Sequence, residues 1–273
     1  MKVEQFEVEC DGAVLHAEAG GEGPPLLLIQ GGIGEAGATE QLARALGSRF
    51  RVISYDRRGL SRSSAGKPPA TMEQHAFDAG AVLAACTSEP ANVVGASIGA
   101  LIGLHLVVQQ PDRVATLIAH EPPMSAVVRD PEREAALDRI EEAAHGDVRA
   151  AIRQMGSLTG ARDGATEDGA RPAPAVGDMM TNLHHFFEHD FPAVRGSTLR
   201  ARDIAPAMAS TRIILTGGTR SRGQWEYRCA EQLALDLGLG LVELPGGHNG
   251  LVSHPMATAT ALSRLLDHVA HAS

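Results

Sequence analysis

The sequence predicts an α/β fold: a mostly parallel sheet with helices on both faces, interrupted in the middle of the chain by a helical insertion. Three observations carry this expectation. Short apolar runs alternate with helically spaced segments, and such alternation builds a parallel sheet covered on both sides. The alternation stops near residue 122 and resumes near residue 206. The 273 residues are 44% hydrophobic and 21% charged, a globular composition that rules out a disordered or fibrous chain.

The elements follow in order. Residues 3–9 alternate loosely, Asp11-Gly12 turns the chain, and 13–17 resumes, which reads as a β-hairpin. After a Gly/Pro stretch, 26–29 is continuous and apolar, as expected of a buried parallel strand. A helix over 40–46, a strand over 50–55, a helix over 72–85, a strand over 91–95, a helix over 98–109 and a strand over 114–120 come next. The stretch 122–205 contains no convincing strand. In it, 132–145 and 148–155 read as helices, with Gly146 stopping the first and Asp147 placed to cap the second. Residues 158–177 are rich in Gly, Ala, Pro and Asp and read as a loop, and 182–191 reads as helix. Strand 212–216, helix 225–237, strand 241–244 and helix 255–270 complete the pattern. The expected division is a core of 1–121 and 206–273 and a helical cap of 122–205, over the strand ends where open α/β sheets bind ligands.

Composition narrows the partners. With 24 Lys and Arg against 33 Asp and Glu, the formal net charge is −9, so phosphate backbones and anionic membrane surfaces repel the chain. Aromatic residues are only 3%, which argues against base-stacking platforms. Cys10, Cys86 and Cys229 are odd in number and lack metal-ligand spacing, as suits a reducing compartment. The first ten residues carry charges where a signal peptide would be apolar, and no run reaches membrane-spanning length. A soluble, cytoplasmic protein with no nucleic-acid or membrane partner is expected.

The chemistry begins at Gly95-Ala96-Ser97-Ile98-Gly99, which matches G-x-S-x-G between a predicted strand and a predicted helix. A serine on such a turn projects above the sheet, and the helix N-terminus offers backbone N–H groups to a developing oxyanion. Further motifs are Gln30-Gly31-Gly32 after the third strand, Tyr55-Asp56-Arg57-Arg58-Gly59 after the fourth, and Pro245-Gly246-Gly247-His248 after the last. With these the whole chain resembles the α/β-hydrolase fold family, of the serine hydrolase type with a helical cap.

That resemblance implies a catalytic serine, histidine and acid. Ser97 is the expected nucleophile, and His248, in a glycine-rich loop after a strand, is the expected base. The acid departs from the common pattern. The loop after the penultimate strand, where relatives carry it, reads Gly217-Gly218-Thr219-Arg220-Ser221-Arg222-Gly223-Gln224 and has no carboxylate. Some α/β-hydrolases place the acid after the strand that follows the elbow helix, and Glu121 stands there, with Pro122 expected to hold it extended. Glu226, or a dyad or broken triad without an acid, remain alternatives. The oxyanion hole is expected from the amides of Ile98 and Gly32. Gln30 stands where relatives commonly have His and receives no catalytic role. Asp56, with Arg57 and Arg58, is expected to fix its loop by ion pairing, and Arg220 and Arg222 read as solvated surface charges.

His185-Phe186-Phe187-Glu188-His189 matches H-x-x-E-H literally, but it reads as a cap helix whose phenylalanines face the site or the sheet, and no metal is expected. Met124, Met155, Met179 and Met180 suggest an adaptable apolar pocket. The function expected is hydrolysis of a small, apolar carboxylic ester, lactone or related acyl compound, without a cofactor. Serine at the elbow argues against dehalogenase and epoxide hydrolase chemistry, which use Asp there. The absent acid motivates an alternative, a cofactor-free lyase or cyclase or a small-molecule binding protein. Metal-dependent hydrolysis at His185 and His189 is a third.

Overall fold

The computed structural model describes residues 2–32, 34–67, 70–159, 165–171 and 176–267. A hairpin of β1 (Val3–Cys10) and β2 (Ala13–Gly20) turns at Asp11 and Gly12, both at positive φ as the two-residue turn requires. Then come β3 (Pro25–Ile29), β4 (Arg51–Tyr55), β5 (Ala91–Ala96), β6 (Val114–His120), β7 (Arg212–Gly218) and β8 (Leu241–Leu244). All eight form one sheet in the order β1-β2-β4-β3-β5-β6-β7-β8. β1, β2 and β4 pair antiparallel, and every pairing from β4 to β8 is parallel. This is the mostly parallel sheet that the sequence predicts.

Helices cover both faces, which is why the central strands are apolar throughout rather than alternating. On one face, α2 (Met72–Cys86), α3 (Ile98–Gln109) and α9 (Trp225–Asp236) share a core with residues such as Leu27, Val93 and Leu117. On the other, α1 (Glu40–Leu46) and α11 (Pro255–Asp267) pack on Leu26, Leu28, Val94 and Ile118. Adjacent residues of β3 thus feed opposite cores, as a two-residue period demands. The expected end of the last helix, 268–270, lies outside the described residues.

Between β6 and β7 the described residues hold helices and no strand. α4 (Pro131–Gly146) is capped by Asp130, and α5 (Val148–Leu158) by Asp147, whose carboxylate accepts from the amides of Arg149 and Ala150. α6 (Met179–His185) starts three residues earlier than the pattern suggests, because Asp178 caps it. It widens into a π turn over Phe186–Asp190 and continues as α7 (Phe191–Gly196) and the short α8 (Ala201–Ile204). Leu137, Ile140, Val148, Ala151, Leu183, Phe186, Phe187 and Phe191 give this insertion a core of its own. Of the loop expected over 158–177, residues 160–164 and 172–175 lie outside the described residues. No described helix is long and apolar enough to cross a membrane.

Candidate active site

Ser97 stands between β5 and α3 with φ 53° and ψ −122°, a conformation that L-residues rarely adopt. Its N–H donates to the His120 carbonyl at 2.8 Å, so its backbone extends the β5–β6 ladder by one residue. Two glycines permit the turn. A Cβ on Gly95 would lie 2.3 Å from the Gly99 carbonyl oxygen, and one on Gly99 would lie 2.0 Å from that of Ile29. Because α3 begins at Ile98, the first amides of the helix have no intrahelical partner and carry the positive end of its dipole. Gly31 lies against this turn: a Cβ there would meet that of Ser97 at 3.2 Å.

His248 sits in the loop between β8 and the short α10 (Gly250–Ser253). Its Nδ1 lies 2.8 Å from Glu121 Oε2. A carboxylate beside Nδ1 makes that nitrogen the proton carrier and leaves Nε2 as an acceptor. Burial disfavours the imidazolium, but the Glu121 hydrogen bond and the charges of Glu226 and Glu121 outweigh it, so the pKa of His248 lies above its ordinary value.

Glu121 is fully buried at the end of β6. Burial pushes its pKa up. The His248 hydrogen bond, the charges of His120 and His248, and the Gly218 amide win, and hold it at about 2. Its Oε1 accepts from the Gly218 amide at 2.7 Å and from the Ser221 hydroxyl. The loop after β7, which has no carboxylate, instead supplies two donors to a carboxylate from the neighbouring strand. The expectation that Pro122 keeps Glu121 extended is wrong, since its φ is 50°. A following proline disfavours only the right-handed helical region, and the side chain has to leave the strand sideways to meet His248. The Glu121 N–H still donates to the Thr216 carbonyl at 3.0 Å.

His120 underpins the same corner. Its Nε2 faces the Gly247 carbonyl at 3.3 Å and its Nδ1 the Thr216 hydroxyl at 3.1 Å. A carbonyl can only accept, so Nε2 carries the proton. Burial keeps the His120 pKa low.

Ser97, Ile98, Gly32 and His248 line one cavity of about 360 Å³. Glu121 lies behind His248, away from the cavity wall. The remaining wall is mainly apolar, with Leu137, Ile152, Met155, Phe186 and Trp225 among its members. The Arg133–Glu226 pair and Arg195 also reach this wall, so the pocket suits a small, largely apolar ligand with polar groups at more than one place. Of the four methionines expected to form it, only Met155 does. Met124 is buried in the sheet core, Met180 packs with the insertion's core, and Met179 is exposed.

Other sequence expectations resolve differently. Glu226, the alternative acid, pairs with Arg133, whose guanidinium stacks 4.0 Å from the Trp225 ring centre. Asp56 pairs with Arg62 rather than with its neighbours, while Arg58 pairs with Asp78 and Arg57 with Asp190. Adjacent side chains on a turn diverge, so each found a partner on a different element. Arg222 pairs with Glu243 at the surface, and neither it nor Arg220 lines the cavity. Gln30 donates from Nε2 to the Thr39 hydroxyl at 2.9 Å. The His185 and His189 rings meet tilted, with centres 4.6 Å apart and an angle of 58° between their planes, and the His185 ring packs over Gly59. No group of three or more His, Cys, Asp or Glu among the described residues could hold a metal ion. Phe186 and Phe191 do face the cavity.

Ser221, His120 and Asp190 were not singled out from sequence. Ser221 lies 100 residues from its carboxylate partner and Asp190 lies 133 from its arginine, separations that leave no local signal.

A family model for the alpha/beta hydrolase fold matches residues 24–170, more than half of the chain. The uncharacterized hydrolase YraK of Bacillus subtilis (strain 168) is 30% identical over 271 residues, spanning 98% of this chain and 97% of that protein. Among solved structures, an alpha/beta hydrolase from Sphaerobacter thermophilus DSM 20745 superposes with a TM-score of 0.72 at 24% identity, over 96% of this chain and 100% of that one. The enol-lactonase of Burkholderia xenovorans LB400 superposes with a TM-score of 0.72 at 21% identity, over 97% of this chain and 100% of that one. A chain that carries the family's pattern across its elbow strand and runs beside a Bacillus hydrolase almost end to end belongs to the α/β-hydrolase fold family, and it is a hydrolase.

Proposed function

We propose that this hydrolase cleaves a small carboxylic ester, lactone or related acyl compound through an acyl-enzyme on Ser97. The observation that carries the reading is the 2.8 Å contact between His248 Nδ1 and Glu121, beside a strained serine on the same cavity. It fixes the imidazole in the tautomer a serine needs. Ser97 Oγ attacks the carbonyl carbon and passes its proton to His248 Nε2. The tetrahedral oxyanion is held by the amides of Ile98 and Gly32. His248 then protonates the leaving alkoxide, and water, activated by the same imidazole, releases the acid. Every proton and electron pair is accounted for by the chain, the ester and water, so the cycle needs no cofactor.

The insertion of 122–205 acts as the cap in this reading: its described residues Leu137, Ile152, Met155, Phe186 and Phe191 line the cavity where the acyl group would lie. Three free cysteines fit a reducing, cytoplasmic setting.

The test is intact mass after exposure to a fluorophosphonate. The parent protein gains one adduct and Ser97→Ala gains none. A folded parent that remains unmodified overturns the acyl-enzyme. A second measurement addresses the cavity: Met155→Trp fills its apolar end, so activity on octanoyl esters falls by about tenfold or more relative to acetyl esters. An unchanged chain-length profile would mean that the acyl group lies elsewhere.

A further inference from the structure

Arg57 extends from the turn after β4 to three acceptors. Nη1 donates to the Gln30 carbonyl at 3.0 Å, and Nη2 donates both to the Gly32 carbonyl and to Asp190 Oδ2, the latter at 2.8 Å. Asp190 comes from the insertion, and its second oxygen lies 3.1 Å from His75 Nε2 on α2. Arg57, His75 and Asp190 are each no more than 1% exposed, so three separate segments meet at one dry point. A Cβ on Gly34 would lie 2.4 Å from Arg57 Nη1, which shows how closely the guanidinium is pressed to the loop.

The two loop carbonyls gripped by Arg57 flank a single peptide, Gly31–Gly32. A trans peptide is planar, so fixing the orientation of both neighbours leaves that unit little freedom to rotate. Freedom is otherwise available: both residues are glycine, and Gly32 has φ 53°. The Gly32 N–H belongs to this peptide. The loop therefore depends on a guanidinium, and the guanidinium, buried away from water, depends on a carboxylate.

Asp190 is the last residue of the π turn Phe186–Asp190, where the Phe191 N–H reaches back to the Phe186 carbonyl. Pro192 follows, which has no N–H and crowds the preceding turn of a helix. The widened turn falls at the residue that meets Arg57. Single π turns recur at functional sites in helices. Burial alone would push the Asp190 carboxyl up, but the Arg57 and His75 contacts hold it well below the usual range.

We propose that Asp190 is a positioning residue for the acyl-transfer step: through Arg57 it holds the Gly31–Gly32 peptide so that its N–H meets the oxyanion formed at Ser97. The inference rests on the serine-hydrolase reading above. It makes the insertion a participant in catalysis and not only a cover for the acyl group. An oxyanion exists in the transition state but not in the bound ester, so a misaligned donor lowers kcat and leaves KM little changed.

The test compares the parent with Asp190→Asn, Asp190→Glu and Arg57→Lys, using p-nitrophenyl butyrate as substrate and n-butylboronic acid as a mimic of the tetrahedral adduct. Asn keeps the shape of Asp but leaves the guanidinium uncompensated. Lys keeps the charge but cannot grip two carbonyls at once. Both lower kcat by about 10²-fold, within the range for loss of one oxyanion donor. KM changes by less than about threefold, and boronic acid affinity falls in step with kcat. Asp190→Glu recovers part of the loss. The acid limb of the pH profile stays in place, because His248 and Glu121 are untouched. If Asp190→Asn does not fold, Arg57→Lys carries the test alone. A folded variant of either kind with kcat within threefold of the parent, or with KM and kcat moving together, overturns the proposal. Fluorophosphonate labelling of the parent separates the two readings: an unlabelled parent sinks the serine mechanism, whereas a labelled parent with unaltered variants sinks only the role of Asp190.

Discussion

Replacing Glu121 by Gln lowers kcat/KM for an activated ester by about 10³- to 10⁴-fold, the scale known for amide substitution of a triad acid. The direction follows from the donors around the side chain. Gly218 N–H and the Ser221 hydroxyl both point at Oε1. A glutamine must keep its carbonyl oxygen there, which turns its NH₂ toward His248 Nδ1. Nδ1 then becomes an acceptor, the ring proton moves to Nε2, and the imidazole can no longer accept from Ser97. The residual activity should also change its pH dependence. His248 acts as a base only when neutral, and its raised pKa places the acid limb of the parent above its ordinary value of 6.5. Without the carboxylate the imidazolium loses its main support, so the limb moves to lower pH. Rate profiles of kcat/KM between about pH 5 and 9 read both effects. A loss below tenfold with an unmoved limb would make Glu121 a strand-end residue only.

Gly99→Ala is expected to destabilise the fold by about 3 kcal/mol or more, the upper range for overpacking. The added methyl would stand 2.0 Å from the Ile29 carbonyl oxygen and 2.8 Å from that of Gln30. Both obstacles are backbone, and neither can yield unless α3 parts from β3. Thermal unfolding should fall by roughly 6–12 °C for a chain of this size. Gly103→Ala is the control. One turn on in the same helix, its methyl meets the Leu117 side chain at 2.7 Å, and a leucine can adjust. Equal melting temperatures for the two variants would mean that the elbow tolerates a side chain.

What could be read in the sequence depended on where the information lay. Ser97 and His248 sit at strand ends among glycines, so a short window contains both the element and the residue it presents. Glu121 was legible because the loop from Gly217 to Gln224 lacks a carboxylate, while the end of the neighbouring strand β6 carries one. The sheet was legible for the same reason: each strand is a local apolar run. The partners of the charged turn were not. Asp56, Arg57 and Arg58 are consecutive, yet they bind Arg62, Asp190 and Asp78; the first partner lies in the same loop, and the folded arrangement of the insertion and of α2 decides the other two. Pro122 misled because a proline constrains the residue before it in one direction only. The helical turn that widens before Pro192 was likewise hidden, since the residue that ends it, Asp190, meets a guanidinium 133 residues away.

The amides of Ser97 and Glu121 both donate into the sheet, to His120 and Thr216. The two residues with the most unusual backbone at the site are therefore stitched into the central strands, which are the last part of a domain to open. Their amide protons should exchange with solvent only when the whole molecule unfolds. For the same reason, the backbone of these two residues has no melting transition of its own.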